Sequence, residues 1–344
     1  MTGVATAPLR TRARRVAPVP AAALALVVLV IVAIGIGHYP LSPSEVLAVL
    51  WARLAGHEVD AVAGAIVWQI RLPRIGVAAL VGAALSAAGA AYQQLFRNPL
   101  VAPDTLGVSS GAALGAVLGI VLGAGFAVIQ AAAFAGGLAA VAIVILIASR
   151  LAAHDALVTL ILTGVVVASL LGAGISFTKY VADPYNALPA ITFWLMGSFA
   201  SSTYRELAAL LVPVVVALAV LGALAWRIDL LALPEDEARA LGVRTRALRA
   251  TVIAAATLAT AAAVAVSGII GWVGLIVPHV ARRIAGPEFR RLLPLAALVG
   301  AGFMVAIDTA ARVVAVSELP PGILTAIVGT PLFIALLART RRPF

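Results

Sequence analysis

Long apolar runs, repeated from one end of the chain to the other, restrict what this sequence can fold into. A helix that crosses the ~30 Å hydrocarbon core of a bilayer needs about 20 predominantly apolar residues. Breaking the sequence at charges and at Pro/Gly clusters leaves such runs at 21–37, 66–96, 106–123, 126–149, 156–178, 207–226, 250–268, 272–285, 292–313 and 319–338. Hydrophobic residues make up 63% of the chain and charged residues only 11%, where soluble domains carry about a quarter. The expected fold is therefore all-α: a polytopic integral membrane protein with about ten transmembrane helices. One transmembrane domain at 21–338 lies between an N-terminal tail, 1–20, and a C-terminal tail, 339–344. The run at 272–285 is short for a full crossing and is expected to complete a broken helix pair with 250–268. Such breaks are tolerated where the backbone is buried in protein or lines a cavity.

The basic residues set the orientation. With ten spans starting inside, 18 of the 24 basic residues fall on the side of the two termini, among them Arg10, Arg12, Arg14, Arg15, Arg97, Arg150, Arg282, Arg341 and Arg342. Arg53, Arg71, Arg74, Lys179, Arg205 and Arg312 fall outside or near it. This is the asymmetry expected of cytoplasmic loops, so both termini are placed in the cytoplasm. Arg10–Arg15 followed by an apolar run also has the look of a signal peptide. No small-x-small site follows in GHYPLSPSE, so the reading is an uncleaved first span.

Composition excludes several functions. There is no cysteine, hence no disulfide framework and no thiolate chemistry. The net charge of +10 comes from arginines scattered over short loops, so it is not read as a nucleic-acid surface. No GxxxxGK[ST] phosphate loop occurs, and the single lysine, Lys179, lies at the outer face. If ATP drives this protein, another chain hydrolyses it.

Two features concern packing. Gly107, Gly111, Gly115, Gly119 and Gly123 recur at every fourth position, a spacing that lets helix backbones approach closely in lipid. The aromatic segment 180–204 is expected to lie along the outer interface.

Residues 227–249, RIDLLALPEDEARALGVRTRALR, form a charged island between apolar runs. Pro234 is placed to start a helix whose first turn holds Glu235, Asp236 and Glu237, favourable to the helix dipole. Gly242 can end it, and Val243 onward can begin a second helix. Ala238 and Leu241 are expected to share an apolar face, and Arg239 to be free to pair with a partner's carboxylate. By these residues alone, the island is either a docking handle or a solvated loop whose acids cap a helix.

Five segments then line up in order: WQIRLPR (68–74), NPLVAPDTLGVSSGA (98–112), the island with EARALGV (237–243), GIIGWVGLIVPHVAR (268–282) and ELPPGILTAIVGTPLFIALL (318–337). Together they resemble the FecCD-type permease subunits of ABC importers for ferric siderophores, haem and cobalamin, from about residue 41 to the C-terminus. The resemblance implies the type II importer arrangement. Two copies form a homodimer around the path, two ATPase subunits use ATP and Mg on the cytoplasmic side, and an extracytoplasmic binding protein delivers substrate. It implies that residues 234–243 dock the ATPase and that this chain binds no cofactor or metal of its own. A ferric siderophore is the first expectation for the cargo, with haem, cobalamin or an oxyanion such as molybdate as alternatives.

The resemblance also places Arg71 and Arg312 where such permeases meet the binding protein, exposed charge serving steering and register. The residues themselves allow other readings. Arg71 could snorkel to the interface, and Arg312 follows Asp308 by four positions, the favourable order for an intrahelical pair. Leu157 and Val158 stand where the family narrows the inner end of the path, a possible inner gate. His279 has no ligand-type neighbour at suitable spacing, so a structural hydrogen bond is expected. Asn98, Pro99, Pro103 and Asp104 read as a turn. Two rival functions remain in view. An ion-coupled transporter would place acids or histidines near the midplane, whereas Asp308 sits near one end. A membrane enzyme would need clustered acids for Mg²⁺, and the acids here are scattered.

Overall fold

The computed structural model describes residues 18–57, 60–151, 156–315 and 317–340. The N-terminal arginines up to Arg15, most of the 1–20 tail, and Arg341 and Arg342 of the 339–344 tail lie outside them. Regular structure in the described residues is entirely helical. In chain order the helices are α1 (Pro18–Gly35), α2 (Pro43–Ala55), α3 (Ala61–Gly64), α4 (Leu72–Leu95), α5 (Val108–Val121), α6 (Phe126–Arg150), α7 (Ala156–Val181) and α8 (Ala187–Met196). They continue with α9 (Tyr204–Ala223), α10 (Ala225–Leu230), α11 (Glu235–Ala240), α12 (Thr245–Ser267), α13 (Val273–Ala285), α14 (Phe289–Ala311) and α15 (Pro321–Thr340).

Every apolar run expected from the sequence lies on a helix. Among the described residues seven helices are long and apolar enough to cross a membrane: α1, the continuous 61–95 rod, α6, α7, α9, α12 and α14. The expected helices α5 and α13 are shorter, at 14 and 13 residues. The helices divide into inner and outer sets. In the most apolar stretch of the 61–95 rod 83% of residues are buried, with 72% in α12 and 61% in α14, against 17% in α1 and 22% in α7. The core is thus α4, α12 and α14, with the other spans around it.

Close approach of that core depends on missing side chains. A Cβ on Gly82 of α4 would collide with the Gly300 carbonyl of α14, and one on Gly300 would meet Gly82 O and the Ser86 side chain. A Cβ on Gly89 of α4 would collide with the Gly274 carbonyl of α13, while one on Gly274 would meet the Pro103 ring and Leu85 O. Without a hydrophobic drive between helices in lipid, such backbone contact supplies much of the association energy.

The expected glycine stripe is divided between jobs. Gly111 and Gly115 face Gly136 and Ala132 of α6, and Gly119 faces Ile129. Gly107 instead caps α5 with φ +78° and sits against Ala168 of α7. Gly123 lies beyond the helix end with φ +66° and open space around it, so it turns the chain instead of packing.

The broken pair is present. α12 ends at Ser267, Gly268 takes φ +69°, and α13 starts only after Trp272, whose φ of +71° is unusual for a bulky side chain. The Trp272 ring meets Phe333 of α15 edge-on at 6.0 Å. Gly329 of α15 leaves room for it, since a Cβ there would lie 2.9 Å from the Trp272 Cβ.

Candidate functional site: a charged surface and a clamp on the opposite face

The charged island folds onto the core. α10 follows α9 directly, and its Asp229 accepts the Phe289 backbone N–H at 2.7 Å, capping the start of α14. Burial pushes the Asp229 carboxyl above its usual range, although the Phe289 and Arg290 amides work the other way. After α10 the chain passes Arg97, just beyond the end of α4. Arg97 donates to the Leu231 carbonyl through Nε at 2.9 Å and Nη2 at 2.5 Å, and Nη2 also bonds the Leu233 carbonyl. Arg97 itself has φ +51°.

Pro234 precedes α11 as its N-cap residue, and Glu235, Asp236 and Glu237 form the first turn, as the sequence leads one to expect. Gly242 follows with φ +80°; its N–H bonds Arg239 O at 2.9 Å and the Val243 N–H bonds Ala238 O at 3.1 Å. These bonds satisfy carbonyls that would otherwise be orphaned at the helix end.

The second helix begins at Thr245, and Thr245–Arg249 are the opening turns of α12 itself. Two expectations for this region need correction. Ala238 and Leu241 do not share a face, since Ala238 is buried while Leu241 is 58% exposed. The reason is that α11 stops at Ala240, and Leu241 already belongs to the turn. Arg239 is not unpaired, because it bonds Glu235 one turn back while staying mostly exposed.

Glu235 binds the two helices together. Its carboxylate also accepts from Thr245 at 3.1 Å and faces Arg249 at 3.3 Å. Some burial opposes its ionisation, yet Arg249, Thr245 and Arg239 hold its carboxyl below the usual range. The basic side chains Arg239, Arg244 and Arg246 border a shallow concavity at the junction with α12.

At the far ends of α4 and α14 lies a second charged group, which pattern reading found only in part. Arg74 donates through Nε and Nη2 to Asp308 Oδ1, both at 2.9 Å, and through Nη1 to Glu318 at 2.8 Å. Arg312 approaches Asp308 Oδ2 at 3.3 Å, the intrahelical alternative raised by the sequence. Asp308 is fully buried.

Arg71 and Arg312 are turned inward, each only 5% exposed. Arg71 donates to the Ile34 and Tyr39 carbonyls, the latter at 2.5 Å. Arg312 donates to Ile36 O at 2.9 Å and Ala33 O at 3.2 Å. These carbonyls lie at or just beyond the end of α1, where helical partners run out and the dipole favours cations. Neither guanidinium is presented on the outer surface, so both act here as a clamp on the α1–α2 turn.

The remaining candidates lie elsewhere in the fold. Leu157 lies partly buried at the start of α7 against the core, and Val158 is half exposed. The hydrogen bond expected of His279 is not formed at Nε2, which is buried without a partner. Among the described residues no group of three or more metal-ligating side chains occurs. Arg97, Asp229, Arg74 and Glu318 were the residues missed. Their only signal in sequence was a charge at a helix end, which names no partner until the ends are brought together.

Helical spans packed through glycine contacts, with a short charged helix at one end, define a multi-pass helical membrane protein. The family model described as the FecCD transport family matches residues 25–339, and the chain belongs to that family. It is 41% identical over 306 residues to the molybdate import system permease protein MolB of Haemophilus influenzae, covering 89% of this chain and 90% of that protein. It is 42% identical over 296 residues to the cobalamin import system permease protein BtuC of Halobacterium salinarum, covering 86% and 79%. A solved structure described as an inward-facing, metal-chelate-type ABC transporter superposes with a TM-score of 0.85 at 39% identity, covering 93% of this chain and 98% of that one. The protein is accordingly a permease subunit of an ABC importer.

Proposed function

We propose that two copies of this chain form the transmembrane path of an ATP-driven importer in a bacterial cytoplasmic membrane, with both termini in the cytoplasm. Two ATPase subunits dock on residues 234–243 and hydrolyse ATP with Mg, while an extracytoplasmic protein delivers the cargo. The observation that carries this reading is the attachment of the island. Glu235 ties α11 to α12, Arg97 beyond α4 holds the Leu231 and Leu233 carbonyls of the segment leading into α11, and Asp229 of α10 caps α14. Displacement of α11 by a closing ATPase would therefore move the three core helices and open or close the path beside α7, where Leu157 and Val158 stand. The clamp formed by Arg71 and Arg312 serves delivery by fixing the α1–α2 turn on which the binding protein would rest.

The cargo proposed is a metal chelate, with a ferric siderophore first. An oxyanion is the second reading, favoured by the 41% identity to a molybdate permease over 89% of this chain. The cargo passes intact, and specificity lies with the binding protein. The test is uptake into proteoliposomes holding this chain with its ATPase and binding protein, comparing a ferric siderophore, haem, cobalamin and molybdate. ATP-dependent uptake of one of them is expected. Uptake that survives without ATP and stops with a protonophore refutes the importer reading. Removal of residues 234–243, or Arg239→Glu, should abolish co-purification with the ATPase while leaving a folded membrane protein.

A further inference from the structure

An apolar groove of about 670 Å³ runs between α6 and α9, floored by α12, and no part of the coupling or clamp machinery uses it. Ala131 and Phe134 line one wall, Ala209, Val212 and Pro213 the other, and Leu258 the floor. The flanking helices are both apolar enough to span the membrane, and Val212 on the rim is 66% exposed. The groove thus opens sideways at bilayer depth. From Arg205 to Val216, both in its lining, it extends eleven residues along α9, roughly 16 Å at ~1.5 Å per residue. That is about half of the ~30 Å hydrocarbon core, the depth of one leaflet.

The groove is polar only at its outer end, where Arg205, Glu206 and Gln130 converge. Arg205 is exposed and makes no ion pair among the described residues. The Gln130 amide nitrogen is buried with no acceptor. Glu206 is already committed, its carboxylate accepting the Thr203 backbone N–H at 3.0 Å and the Thr203 hydroxyl in the cap of α9. The 20-residue helix α9 also begins here and turns its positive end to the same spot. An unpaired cation, an unpaired amide donor and a helix N-terminus above a leaflet-deep apolar slot call for an anion attached to a hydrocarbon chain.

We propose that this groove holds one acyl chain of an anionic phospholipid, whose phosphate sits between Arg205 and the Gln130 amide. A smaller apolar groove at the other end of α9 is lined by Leu218, Gly222, Leu293 and Pro294 with Arg290.

The test is native mass spectrometry of the purified full-length protein with palmitoyl-oleoyl phosphatidylglycerol and, separately, phosphatidylcholine of the same chains. Phosphatidylglycerol should bind more tightly. Arg205→Gln should weaken it roughly three-fold or more, the scale of a partly exposed charge contact, with Arg205→Lys retaining most of the preference. Ala209→Leu, at an exposed helix position, should fill the slot and reduce binding of both lipids. Equal retention of the two lipids by wild type and Arg205→Gln would overturn the proposal. Displacement of phosphatidylglycerol by millimolar inorganic phosphate would do so too, marking a free-anion site. The chain lacks cysteine, so an Ala208→Cys variant has one thiol. A disulfide between copies at that position would assign the groove to a subunit interface and sink the lipid reading.

Discussion

Replacing Asp308 with Asn tests whether the opposite-face clamp holds the core together. The change keeps the side-chain volume, so no cavity term enters. It removes one negative charge from a buried group in which Asp308 faces Arg74 at 2.9 Å and Arg312 at 3.3 Å. With Arg71 nearby and only Glu318 left as counter-charge, the two arginines bound to Asp308 would lose most of their compensation inside the protein. Breaking a buried pair by removing one partner costs about 3–5 kcal/mol. At about 2 °C per kcal/mol for a larger chain, the melting midpoint in detergent should fall by at least about 6 °C. Glu318→Gln is the internal comparison. Its side chain is 38% exposed and touches only Arg74 within this group, so its loss should cost about 1 kcal/mol or less. Fluorescence-detected size exclusion after heating reads both variants. In a cycle with Arg74→Ala, the Asp308→Asn defect should shrink, though not vanish, because Arg312 still faces the site. If Asp308→Asn melts no lower than Glu318→Gln, the buried cluster does not carry the load assigned to it.

Further outcomes follow from the packing and from the island. Gly300→Val should destabilise by about 1–3 kcal/mol or more through collision with Gly82 O and Ser86, whereas Gly222→Ala, whose nearest contact is Leu293 at 3.9 Å, should be neutral or slightly stabilising; the same melting assay separates them. Because Glu235 is held below its ordinary 4.5 in the fold, its contribution is complete above that value and is lost as pH falls through the lowered folded value. Amide exchange in α11, corrected for intrinsic rate, should accelerate on going from pH 7 to about pH 3.5, and Glu235→Gln should exchange fast at pH 7 with little further change on acidification. Arg97→Ala, which frees the Leu231 and Leu233 carbonyls, should leave ATPase binding intact but lower transport per ATP hydrolysed, as measured by paired uptake and phosphate-release assays.

The spans were legible because lipid imposes one requirement on every residue of a crossing segment, and that requirement survives in composition. The helix start at Pro234 and its stop at Gly242 were also legible, since both depend on local backbone chemistry. What failed depended on geometry at helix ends. Leu241 is three positions from Ala238 and would share its face in a continuing helix, but α11 stops one residue earlier. Arg71 and Arg312 look like surface charges by position. They are buried because the α1–α2 turn brings the Ala33, Ile34, Ile36 and Tyr39 carbonyls over them, and no periodicity in sequence encodes that approach. Asp308 showed one partner by its i,i+4 spacing, while the closer partner, Arg74, lies 234 positions away.

The two charged groups have a common logic that neither has alone. Both grip the same helices: Arg97 and Asp229 hold one end of α4 and α14, while Arg74 and Asp308 hold the other. Between them the two rods touch through Gly82 and Gly300. Buried charge pairs resist sliding because any shift leaves an uncompensated ion, and glycine contacts resist separation only while the backbones stay in register. On the function proposed above, a force applied at α11 would meet a pair that is pinned at the far end and joined in the middle, which favours rotation about the clamp over translation through it. On that basis, loosening the clamp with Glu318→Gln should disturb coupling less than Arg97→Ala does, even though both remove contacts to one arginine. Arg97→Ala releases the point where force enters, while Glu318→Gln leaves the Arg74–Asp308 pivot in place.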